Sequence, residues 1–201
     1  MNSGGTKIKL CGLSRECDIE YANEARPDYI GFVFAESVRR VEAKTAEALR
    51  KRLDDGIMPV GVFQNAEIAD IAALYRAGVI EIAQLHGGET DEYVRLLRAI
   101  CGVPIIRAVK AAHAHIPADC DYILFDSAIP GSGQSYDYAA LPQTDKPVFL
   151  AGGIGLHNIN AALAVHPFAV DVSSGAEKQR GVKDRALMLE LVRRVRTARQ
   201  I

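Results

Sequence analysis

The chain has 201 residues, 49% of them hydrophobic, and carries 24 Lys and Arg against 25 Asp and Glu, a formal net charge of −1. That length suits one domain with a substantial core, and the balanced charge offers no basic surface to recommend a nucleic acid as partner. No apolar run approaches a membrane span, and residues 1–6, short and polar, lack the apolar stretch of a signal peptide, so no membrane partner is expected.

Short β-branched and apolar runs at residues 8–11, 29–34, 60–63, 81–85, 105–109, 122–126, 148–151 and 169–173 read as strands. Between them, residues 43–53, 67–77, 91–100, 156–165 and 184–198 place apolar side chains at helical spacing. Asn65 and Thr90 are expected to cap helices. Gly78 stands where a helix should stop, and Pro104 and Pro147 precede strands. Steps between strand ends run from 17 residues (Val109 to Asp126) to 29 (Phe34 to Phe63). Only the shortest leaves no room for a full helix, and Pro117 within it agrees with an abbreviated one. Eight alternating units predict an all-parallel sheet, closed as a (β/α)8 TIM barrel, with an open doubly wound sheet as the rival. One compact domain is expected over residues 7–201, behind the polar extension 1–6.

Cys11, Cys17, Cys101 and Cys120 form no C-x-x-C pair and no zinc-ligand spacing with histidine. They read as reduced thiols of a cytoplasmic protein, and no metal is expected. Cys17, Cys101 and Cys120 read as small core hydrophobes. His113, His115, His157 and His166 look like surface residues, and the Arg193-Arg194-Val195-Arg196 end like a solvated helix face.

Residues two apart share one face of a strand. Ile8 and Leu10 should face the helices, which turns Lys9 and Cys11 into the barrel. The same parity turns Gln84, His86, Arg107, Asp126, Asp171 and Ser173 inward. An unpaired buried ion costs several kcal/mol. Because the first and eighth strands of a closed barrel are neighbours, Lys9 and Asp171 are predicted to form an interior ion pair.

Gly152 and Gly153 follow the seventh strand, and Ser173, Ser174 and Gly175 follow the eighth. Two small, donor-rich loops after the last two strands predict a site for a ligand's phosphate, bound by backbone N–H groups. Cys11 and Asp126, at the ends of strands one and six, supply a thiol and a carboxylate facing one pocket. One group to protonate an oxygen and another to remove a carbon-bound proton is what an aldose-to-ketose rearrangement needs.

The blocks Lys9-Leu10-Cys11-Gly12-Leu13, Gly31-Phe32-Val33-Phe34, Gly61-Val62-Phe63, Gln84-Leu85-His86-Gly87, Phe125-Asp126-Ser127, Ala151-Gly152-Gly153 and Val170-Asp171-Val172-Ser173-Ser174-Gly175 resemble, in order, the phosphoribosylanthranilate isomerase family of tryptophan biosynthesis. The resemblance implies a cofactor-free enzyme on a small phosphoribosyl substrate, monomeric or weakly dimeric. It implies that Cys11 is the general base and Asp126 the general acid. It implies further that Arg39 holds the anthranilate carboxylate, with Arg40 one position away, and that His86 and Asp171 line the pocket. The loop 127–134 is shorter than in many members, and Tyr136-Asp137-Tyr138 stands where Phe-Asp-Trp is common. A related isomerase of histidine biosynthesis would carry an Asp at the Cys11 position, and triosephosphate isomerase a Glu at the end of strand six. A non-catalytic phosphate-binding module would have no reason to keep both Cys11 and Asp126.

Overall fold

The computed structural model describes residues 5–110, 119–126 and 141–198. Eight parallel strands close into a barrel in sequential order: β1 Lys7–Cys11, β2 Tyr29–Val33, β3 Met58–Phe63, β4 Ile82–Leu85, β5 Ile105–Lys110, β6 Tyr122–Asp126, β7 Val148–Leu150 and β8 Ala169–Val172. The strand following β8 pairs with none of these. It makes a small antiparallel hairpin, β9 Glu177–Gln179 and β10 Val182–Lys183, after a 3-10 turn over Ser174–Ala176. The closed order excludes the open doubly wound sheet.

The helices are α1 Glu16–Ala25, α2 Ala43–Arg50, α3 Ile68–Arg76, α4 Asp91–Cys101, α5 Ile159–Ala164 and α6 Arg185–Ala198. Four of the five expected helices keep close to their expected bounds, and the segment 156–165 does not. There the Asn158 side chain accepts from Gly155 N at 2.9 Å and closes a turn, so α5 begins only at Ile159. Helix α1 escaped the periodicity because its buried apolar stripe is only Ile19 and Ala22. Asp18 anchors its start, accepting from Ser14 N and Arg15 N. Thr90 caps α4 as expected, accepting from Tyr93 N at 3.2 Å. Asn65 does not cap α3, whose N-cap is Glu67. Asn65 instead takes a left-handed φ of 51° and accepts from Gly88 N, which ties the loop after β3 to the loop after β4. Pro117, His113 and His115 lie outside the described residues, as do the 127–134 loop and residues 136–138.

Two apolar layers hold the barrel. The outer one, between sheet and helices, includes Ile8, Leu10, Ile30, Phe32, Leu85, Ile105, Phe125 and Val170. The inner one fills the amino half of the barrel with Tyr29, Val60, Ile82, Ile106, Leu124 and Phe149. The rings of Tyr29, Tyr122, Phe149 and Phe168 pack edge to face or tilted at 5.4–5.6 Å between centroids and form its floor. Above this floor the polar side chains of Lys9, Gln84 and Asp171 share the interior with Cys11, Val33 and Val62.

Parity along the strands is decided by the register. Lys9 pairs with Asp171 across β1 and β8, and Gln84 pairs with Ile106 across β4 and β5. In register, neighbours share a face, so Ile106 points in and Arg107 points out with Leu85. The inward orientation expected for Arg107 is thus corrected: its Nη2 donates to Glu89 O at 2.7 Å, on the helix side. A run of Ile105, Ile106 and Val109 around it gives no apolar–polar alternation to read. His157 and His166 are exposed, and Arg193 and Arg194 pair with Glu190 on the outer face of α6. Among the described residues no disulfide links the four cysteines; Cys11 and Cys120 are buried and Cys17 and Cys101 half-buried. Among the same residues no helix is long and apolar enough to cross a membrane.

Candidate active site

The carboxyl ends of the strands surround a cavity of about 800 Å³. Cys11, Asp126, Arg39 and His86 line it together, with Gly152, Gly153, Ser173 and Ser174 along one wall. Its position follows from the strands: in β1–β4 and β6–β8 the last inward residue, or the first after it, reaches the mouth. Arg40 does not reach it. That side chain borders a separate hollow of about 500 Å³ between α2 and α3, beside Phe34 and Phe63, and pairs with Glu42. Of the two arginines, Arg39 is the one that lines the cavity.

At the base of the cavity Lys9 Nζ lies 2.9 Å from Asp171 Oδ2, with the lysine side chain fully buried and the aspartate 8% exposed. The predicted interior pair is present. Burial works against the Lys9 ammonium, but Asp171 and Cys11 outweigh it and hold its pKa above the usual value. Cys11 sits directly above. Burial pushes its thiol up; the charges of Lys9 and Lys183 pull the other way without cancelling the shift. The sulfur has room because Gly31, its register partner on β2, has no side chain: a Cβ there would lie 2.7 Å from Sγ.

On the opposite strand Asp126 Oδ2 lies 3.4 Å from His86 Nε2, and His86 Nδ1 lies 3.3 Å from Gln84 Nε2. If the Gln84 amide donates to Nδ1, the neutral ring carries its proton on Nε2, facing Asp126. Asp171 Oδ1 and Gln84 Oε1 are buried acceptors without a hydrogen-bond partner among the described residues, and both residues line the cavity. An orphaned buried acceptor is costly, and a ligand hydroxyl or N–H would satisfy it.

Gly175 stands behind the wall of the cavity. A Cβ there would lie 2.0 Å from Ile154 O and 2.7 Å from Gly155 Cα, so the loops after β7 and β8 touch only because it is glycine. Gly175→Ala is expected to push these loops apart and to weaken inorganic phosphate binding about tenfold or more, read by calorimetric titration; an unchanged Kd would remove the two loops from anion binding. Sequence reasoning missed Ser37, Glu177, Gln179 and Arg180, which also line the mouth. The last three lie on or beside the β9–β10 hairpin, whose strands of three and two residues carry no apolar alternation.

The closed parallel barrel, with its polar cup at the strands' carboxyl ends, makes this chain a (β/α)8-barrel enzyme. Residues 8–194 match the sequence model of the N-(5'-phosphoribosyl)anthranilate (PRA) isomerase family. An N-(5'-phosphoribosyl)anthranilate isomerase of Endomicrobium trichonymphae is 40% identical over 198 residues, covering 95% of this chain and 98% of the relative. The crystal structure of the phosphoribosyl anthranilate isomerase of Thermus thermophilus superposes with a TM-score of 0.84 at 30% identity, covering 96% of this chain and 99% of that one. A phosphoribosyl anthranilate isomerase solved in complex with reduced 1-(o-carboxyphenylamino)-1-deoxyribulose 5-phosphate superposes at 0.79 with 26% identity, covering 96% and 99%. The chain belongs to the N-(5'-phosphoribosyl)anthranilate isomerase family.

Proposed function

We propose that this enzyme converts N-(5-phosphoribosyl)anthranilate to 1-(2-carboxyphenylamino)-1-deoxyribulose 5-phosphate, with Cys11 as general base and Asp126 as general acid. The observation that carries the reading is one cavity lined at once by a buried thiol, a carboxylate, an arginine and the glycine–serine loops. Asp126 protonates the furanose ring oxygen, the bond from that oxygen to C1 breaks, and a Schiff base forms. Cys11, as thiolate, takes the C2 proton and leaves an enolamine, which tautomerises to the ketone. Lys9 beside the sulfur offsets part of the cost of its negative charge. Once Asp126 has given up its proton, His86 is within reach of the carboxylate it leaves. Arg39 is suited to the anthranilate carboxylate and Asp171 Oδ1 to a sugar hydroxyl. The backbone of Gly152, Gly153, Ser173 and Ser174, with Gly175 holding the loops together, is suited to the phosphate.

Generating the substrate in situ and following anthranilate-type fluorescence tests the activity: the signal is expected to decay faster with the protein than without it, and equal decay rejects the reading. The state of the base has its own test. Because burial raises the Cys11 thiol, most of it is protonated at neutral pH. Alkylation of the Cys11 peptide by iodoacetamide, followed by mass spectrometry, is expected to rise steeply with pH and to reach half-maximum at a higher pH than an exposed thiol such as glutathione does. A half-maximum at or below that of the exposed thiol contradicts it.

A cytoplasmic setting and a monomer or weak homodimer complete the proposal. Four cysteines without a disulfide among the described residues support the first. For the second, the exposed large hydrophobics among the described residues are Val38, Val165 and the α4 pair Leu96 and Ile100, too few for an obligate interface.

A further inference from the structure

Glu177, at the start of the β9–β10 hairpin, has its side chain only 3% exposed although it borders the cavity. Four donors converge on it. Arg39 donates from Nε to Oε1 at 2.6 Å and from Nη2 to Oε2 at 2.8 Å. Lys183 Nζ donates to Oε1 at 2.8 Å, and Gly181 N donates to Oε2 at 3.0 Å. Each oxygen thus holds two donors, and a carboxylate so occupied has little capacity left for a ligand. Its work is directed at its protein partners. Arg39 is the group expected to meet the aryl carboxylate, and a free arginine side chain would lose rotamer freedom on doing so. Here one edge of the guanidinium is already fixed in a bidentate pair. Its stem is held too: Arg39 Cδ crosses Gly12 so closely that a Cβ on that glycine, whose φ is +83°, would lie 2.5 Å away.

The other partner leads to the far end of the ligand. Lys183 is fully buried, and its Nζ also donates to Ser173 O at 2.9 Å, at the head of the loop assigned to phosphate. Two cations share one carboxylate, so the Arg39–Glu177–Lys183 group keeps one net positive charge and remains attractive to an anion.

We infer that Glu177 is a positioning residue that pre-orients Arg39 for the substrate carboxylate and, through Lys183 and Ser173, joins the carboxylate and phosphate subsites into one unit. This rests on the function proposed above. Pre-orientation of a group that binds substrate and transition state alike acts on KM more than on kcat.

The test uses the full-length protein with Glu177→Gln, Arg39→Ala, the Arg39→Ala/Glu177→Gln double variant and Lys183→Met. For Glu177→Gln, KM for N-(5-phosphoribosyl)anthranilate is expected to rise about tenfold or more with kcat within about threefold of the parent. In the Arg39→Ala background the same change should raise KM by only about threefold, the share carried by the phosphate subsite, because the arginine it orients is gone. Titration with inorganic phosphate should show a Kd raised at least about threefold by Glu177→Gln and by Lys183→Met. An unchanged KM, an equal rise in both backgrounds, or an unchanged phosphate Kd overturns the inference. If Glu177→Gln does not fold by circular dichroism, Lys183→Met decides it: unchanged phosphate Kd and unchanged KM refute the link. Should the parent protein fail to turn the substrate over, the functional reading falls, and the phosphate titrations still decide the coupling.

Discussion

Asp126→Asn is expected to lower kcat by about 10²- to 10⁴-fold while leaving the melting temperature and the Kd for inorganic phosphate near those of the parent. The amide matches the carboxyl in shape and keeps a contact to His86, which approaches Oδ2 at 3.4 Å. It cannot give up a proton to a ring oxygen. Asp126 sits on the rim, 37% exposed, so the change leaves no buried group stranded. Cys11→Ser should fall by a comparable factor, because a hydroxyl at that place is a far weaker acid than a thiol and supplies almost no anion to take the C2 proton. The double variant should lose little more than the worse single one if both groups act on one bound molecule. Turnover like that of the parent in Asp126→Asn would take the carboxyl out of the chemistry, and persistent activity in Cys11→Ser would assign the base elsewhere.

Lys9→Met is expected to destabilise the fold by about 3–5 kcal/mol in urea unfolding, because it leaves the Asp171 carboxylate in the barrel interior without its partner. The side chain of Met nearly fills the same space, so the loss is electrostatic rather than steric. Adding Asp171→Asn should recover part of it, since the stranded charge is then gone. Full stability in the single variant would mean that water reaches Asp171 freely. Glu177 gives a separate signature in acid. Burial pushes its carboxyl up, but the hydrogen bonds from Arg39, Lys183 and Gly181 outweigh this and hold it at about 2. Its folded value lies below the unfolded one, so the stability it contributes is complete above the usual carboxylate range and is lost as pH falls toward about 2.

The sheet was legible because its eight short apolar runs recur at the length of a β/α unit. The Lys9–Asp171 pair was legible because closure makes the first and last strands neighbours, and because Ile8 and Leu10 leave no doubt about which face is polar. The parity of β5 was not. Ile105 and Ile106 are both apolar, so only the register with Gln84 shows that Arg107 faces the helices. Asn65 looked like a cap because Asn serves that role well, but the same short amide also tolerates a left-handed backbone, which is the role it takes here. Glu177 and Lys183 were hidden for another reason. Their meeting depends on a seven-residue hairpin, Glu177–Lys183, whose charged side chains have no periodicity, and the second partner of Glu177, Arg39, lies 138 residues away in the chain. Long-range polar networks of this kind leave no local pattern.

Among the described residues the aromatic floor of Tyr29, Tyr122, Phe149 and Phe168 fills the amino end of the barrel and leaves the cavity to open at the other. Whatever is released must leave by the route along which the next molecule arrives, so occupancy is exclusive and the product is set to compete with its own precursor.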